Sequence, residues 1–108
     1  MIDETLVAAA QYMDKHGKVC GRLRDEEGRV CILGALIAVV GEGYIFYLTA
    51  PDGIVHGKHI ASEIRLEEYA RAQGYRCVDI PYLSDVVFKT KEETVKFMME
   101  AAEWEPQS

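Results

Sequence analysis

The sequence predicts a helix-rich α+β domain, with three to four helices packed around a central apolar helix and one small β-hairpin. Three observations carry this prediction. Apolar residues recur at helical spacing near both ends of the chain, and an uninterrupted apolar run fills residues 30–40. Between them, an aromatic and β-branched run followed by Pro51-Asp52-Gly53 has a hairpin pattern. With 108 residues, 49% of them apolar, the chain can bury a core without disulfides or metal. Residues 1–104 read as one globular domain and 105–108 as a frayed tail.

The first helix spans residues 3–16. Ile2, Leu6, Ala9, Ala10 and Met13 share a face, while Glu4, Gln11, Asp14 and Lys15 fall elsewhere. Asp3 suits the amino-terminal cap, Lys15 and His16 suit the negative end, and Gly17 supplies the stop. Residues 18–29 contain the turn signal Asp25-Glu26-Glu27-Gly28. A hairpin pairing Arg24 with Arg29 would oppose two like charges, which is unfavourable. The segment therefore reads as an irregular loop with a tight turn, feeding a helix at about residue 30.

That helix is apolar on every face and stops at Gly41. Its Val and Ile content would also suit a buried strand, but Gly34, Ala35 and Ala38 favour a central helix. Gly34 would let another backbone approach closely, at roughly 1 kcal/mol of helix propensity relative to alanine. The hairpin follows over 44–55 and must lie on helices, since a lone hairpin is marginal. A helix over 60–73 presents Leu66, Tyr69, Ala70 and Gln73 on one face and ends at Gly74. Residues 75–89 read as an apolar connection in which Pro81 discourages continuous helix. Thr90 and Glu93 form a capping box for the last helix, whose stripe is Val95, Met98, Met99 and Ala102.

A net charge of −6 with dispersed basic residues argues against direct nucleic-acid binding. Residues 30–40 are too few to span a bilayer, so no membrane contact is expected. The acidic start Met1-Ile2-Asp3-Glu4 lacks a secretory character, and three cysteines are an odd number, so a reduced, cytoplasmic setting is expected. The same setting disfavours a Cys20–Cys31 disulfide. Zinc would need ligands at recognisable spacing, and His56 and His59 are the only short pair, so no metal and no cofactor are expected. Gly41-Glu42-Gly43 opens like a dinucleotide fingerprint, but Phe46 stands at the third glycine position.

A cysteine nucleophile needs a base and an orienting group. The candidate set is Cys20, a histidine (His16, His56 or His59) and Asp85. Cys31, inside the apolar run, reads as the first core-facing position of its helix. Tyr44, Ile45 and Tyr47 of the hairpin, with Arg22 and Arg24 of the loop, form the candidate binding surface.

His16-Gly17, Cys20-Gly21, Asp25, Gly28-Arg29, Cys31 and Leu33-Gly34-Ala35 resemble a family of small uncharacterised proteins of actinobacteria and their phages. Leu83-Ser84-Asp85 and Thr90 stand where that family usually has aromatic-Asn-Asp and a threonine before a helix. The resemblance covers about the first forty and last twenty-five residues and implies a phage or actinobacterial origin. It also implies that the two cysteine-bearing segments pair with the Asp85 turn. The leading expectation is a non-enzymatic accessory protein that binds a host protein and modulates or inhibits it, with a homodimer as a further possibility. Two alternatives stay open: a small cysteine-dependent enzyme, and a small-molecule or nucleotide-binding protein with a pocket between the 30–40 helix and the 75–89 connection.

Overall fold

In the computed structural model, residues 2–40, 58–76 and 79–105 are described. They are helix-rich: α1 (Glu4–His16), α2 (Ile32–Val40), α3 (Lys58–Ala72), α4 (Ile80–Tyr82) continuing as a π turn over Leu83–Val87, and α5 (Lys91–Glu103). The expected hairpin, with Tyr44, Ile45 and Tyr47, lies outside the described residues, as do the side chains of His56 and His59 and the last three residues of the expected tail.

Both ends of α1 form as the sequence predicts. The Asp3 carboxylate accepts from the Leu6 amide at 3.0 Å. Gly17, at φ +99°, donates its amide to the Met13 carbonyl. The position of the centre differs from expectation. Among the described residues, α1 packs on α2, α3 and α5, whereas α2 reaches α1 and the short α4. Buried Leu6, Ala9, Ala10 and Met13 explain this, because two adjacent alanines allow neighbouring helices close approach. The apolar α2 buries Ile32, Gly34, Ala35 and Leu36 and leaves Ala38 exposed, so its hydrophobicity does not make it the hub.

The 18–31 segment is a loop with a tight turn, but its arms do pair, one residue out of the unfavourable register. Arg24 bridges Val30 in antiparallel fashion, with Asp25 N–H to Arg29 O at 3.0 Å and Cys31 N–H to Leu23 O at 3.2 Å. The slip comes from Asp25. Its Oδ1 accepts from the Glu27 and Arg29 amides, and Arg29 Nε reaches Oδ2 at 2.5 Å. This side-chain turn spans the charged stretch and keeps the arginines from facing each other. On the other side Val30 donates to Gly17 O and accepts from Val19 N–H. Fully buried Val30 is thus held by backbone from two directions, which delays α2 from residue 30 to Ile32.

Cys31 is buried, as expected, but stands one residue before α2 rather than within it. Its carbonyl accepts from Ala35 N–H at 2.9 Å, and its Sγ accepts from Gly34 N–H at 3.4 Å, so it acts as the helix cap. Gly34 is required by contact: a Cβ there would overlap the Leu23 carbonyl oxygen and lie 2.8 Å from its carbon.

The 75–89 connection contains helix where none was expected. Pro81 sits in the first turn of α4, where its missing N–H costs nothing, and the Asp79 carboxylate accepts from Tyr82 N–H at 3.3 Å. The following π turn closes with Phe88 N–H to Leu83 O at 2.8 Å. Thr90 caps α5, accepting from Glu93 N–H at 3.1 Å and bonding the Glu93 carboxylate through its own hydroxyl. At the far end of α5, Arg65 of α3 donates to the carbonyls of Ala101, Ala102 and Trp104, neutralising the negative helix terminus. An aromatic layer joins α3 to α5: Phe88 stacks on Phe97 at 4.5 Å, and Tyr69 contacts Phe97 at 5.6 Å and Trp104 at 5.8 Å.

Candidate functional site

The loop before α2 and the α4–π segment meet, and Ser84 is the pivot. Its side chain is fully buried, and its Oγ accepts from Ile32 N–H at 3.2 Å, satisfying an amide at the start of α2. Lys18 reaches the same segment and donates its ammonium to the carbonyls of Ser84 and Phe88. One cation thereby holds the loop against a stretch 66 and 70 residues away.

Cys20 lies beside this clamp and is exposed. Its Sγ is 3.5 Å from Lys18 Nζ and 3.9 Å from the Ser84 carbonyl. His16 is not joined to it. The imidazole stacks on Tyr12 at 4.1 Å, and among the described residues no hydrogen bond links His16 to Cys20 or Asp85. Cys20 and Cys31 are both free thiols. Burial pushes the Cys31 thiol above its ordinary range, and the Asp85 carboxylate adds to that push against the pull of the Gly34 and Leu33 amides. Cys31 is thus a protonated structural thiol at neutral pH.

Beside Cys31 a cleft of about 180 Å³ opens between Gly21, Arg22, Leu23 and Leu33 on one wall and Pro81 and Asp85 on the other. Leu23 is 45% exposed although its carbonyl is fixed by Cys31 N–H and pressed on Gly34. Tyr82 and Val86, next in sequence to Pro81 and Asp85, are 44% and 47% exposed. Arg22 lines this cleft, whereas Arg24 is exposed on the bridged arm.

The loop before α2 and the α4–π segment therefore build one face. The chain matches the family model DUF6197, a family of unknown function, over residues 1–103. It belongs to the DUF6197 family. No curated protein and no solved structure matches it.

The sequence alone singles out Cys20, Asp85 and Arg22 of this DUF6197 face. It reaches Ser84 only through the family resemblance, with no role given, and misses Lys18 and Leu23. The signal available for Ser84 was a small polar residue inside an otherwise apolar stretch; for Leu23 it was an apolar residue between two arginines. Among the described residues no three His, Cys, Asp or Glu side chains cluster as metal ligands, and no helix is long and apolar enough to cross a membrane.

Proposed function

We propose that this DUF6197 protein works by binding a protein partner, as a small cytoplasmic accessory protein of a bacterium or phage that engages and modulates a host protein. The observation that carries the proposal is Leu23, whose backbone is locked while its side chain stands half in solvent at an apolar cleft. A residue held this way loses little conformational entropy on docking, which is what preorganised interfaces exploit. Size separates the reading from small-molecule binding at the same place. Ligand pockets run from about 300 to 1,000 Å³, whereas this cleft holds about 180 Å³, the scale of one anchoring side chain. Arg22 and Asp85 at its edge give the partner a preferred orientation, an apolar anchor flanked by an acid and a base.

Affinity capture from host lysate tests this with three chains: wild type, Leu23→Glu and Ile64→Glu. Ile64 is similarly exposed but belongs to α3, so it controls for a charge added to any apolar surface site. The partner recovered by wild type should be retained by Ile64→Glu and reduced about tenfold or more by Leu23→Glu. Equal recovery by all three chains would remove the cleft from the account.

A further inference from the structure

The cleft beside Cys31 carries an acid and a base that are not joined to each other. Arg22 stands on the loop wall and Asp85 on the π-turn wall. Among the described residues neither side chain makes a salt bridge or a hydrogen bond, whereas Arg29 of the same loop is bound to Asp25 and Glu27. Exposed apolar side chains surround them: Leu23 follows Arg22, and Tyr82 and Val86 lie four residues apart on the α4–π segment, either side of Asp85. One face thus offers a cation, an anion and apolar surface together. A symmetric dimer interface needs this self-complementarity, because residue i of one copy meets j of the other while j meets i.

We propose that a second copy of this chain docks on the cleft about a two-fold axis, Arg22 of each copy meeting Asp85 of the other and Leu23 of each meeting the other's Tyr82 and Val86. Charge selects the face. The chain carries a net charge of −6, so two copies repel in general. Arg22 and Arg24 are exposed and make no salt bridge among the described residues, so the loop is where an acidic copy can approach. Leu23, Tyr82 and Val86 then supply the apolar centre of the contact. Few side chains take part, which puts the interface at the small, weak end, below about 1,200 Å² in total. The inference rests on reading the Leu23 cleft as the docking face and adds its regulation: a second copy covers the cleft at high concentration, and a host partner must displace it.

A charge swap followed by sedimentation velocity tests it. Wild type should pass from monomer to dimer with a Kd of roughly 1–100 μM. Arg22→Asp alone and Asp85→Arg alone each set like charges opposite one another twice across the axis, and each should weaken the dimer at least about tenfold. Mixing these two chains should restore it, because one then carries acids at both positions and the other carries bases at both. Leu23→Glu, which leaves both native charges in place, should also stay monomeric. A wild type still monomeric at about 1 mM, a dimer that survives both single reversals, or a mixture no more dimeric than its components would overturn the proposal. No host protein enters this measurement, so its failure is distinct from a failure of the lysate capture.

Discussion

Replacing Gly34 by alanine perturbs the contact on which the Leu23 loop rests. The added Cβ would overlap the Leu23 carbonyl oxygen, lie 2.8 Å from its carbon and 3.3 Å from Val30 Cβ. Carbon atoms pack at about 3.5–4.0 Å, so the loop must retreat by roughly 1 Å from a helix it touches through backbone. Retreat stretches the Cys31 N–H to Leu23 O bond, already 3.2 Å long. Overpacking of this kind costs about 1–3 kcal/mol, and a weakened hydrogen bond adds about 0.5–1.5 kcal/mol. Alanine returns roughly 1 kcal/mol through helix propensity. The net expectation is destabilisation by about 1–3 kcal/mol, measured by urea unfolding followed by far-UV circular dichroism. Ala38→Gly, at an exposed position of the same helix, calibrates the propensity contribution. A Gly34→Ala chain as stable as wild type, or more stable, would refute the close approach of loop and helix.

Ser84→Ala leaves the Ile32 amide without its acceptor at a buried site and should cost about 1–3 kcal/mol in the same urea assay. Peptide mapping after iodoacetamide treatment of the folded protein at pH 7.5 should show Cys20 alkylated well before Cys31, whose thiol is buried and held protonated; equal rates would contradict the capping role. Burial alone would raise Asp25, but its bonds to Arg29 and to two backbone amides outweigh it and hold the carboxyl below its ordinary value. The folded value therefore lies below the unfolded one, near 3.9, so its stabilisation is present above that pH and is lost as pH falls through the folded value. Asp25→Asn should flatten the loss of stability as pH falls below about 4, and an unchanged acid limb would remove the turn from the stability of the loop.

The parts of the fold that the sequence made legible are those governed by neighbours in the chain. Asp3 and Gly17 bound α1, and Thr90 with Glu93 opens α5, because capping acts over three or four residues. Gly34 was also legible as a point of close approach, although not which backbone would arrive. What escaped depends on distant partners. The register of the 18–31 arms turns on the Asp25 carboxylate capturing two amides, which slips the pairing by one residue. Pro81 discourages helix only when it falls past the first turn, and Asp79 places it inside that turn. Among the described residues α1 meets more helices than α2 does, because hydrophobicity marks what is buried, while the small Ala9 and Ala10 decide how closely helices approach. At the candidate site Cys20 and Asp85 could be named singly. The segments that carry them are brought together by Lys18 and Ser84, whose hydrogen bonds cross more than fifty residues and leave no periodic trace.

The most direct test of the binding account is site-specific photo-crosslinking in the host cell, with a benzophenone-bearing residue replacing Leu23 in one chain and Ile64 in another. A partner that seats on the cleft should give a discrete crosslinked band from position 23 and none from position 64. Crosslinks of equal strength from both positions, or none from position 23 while the partner still copurifies, would contradict it.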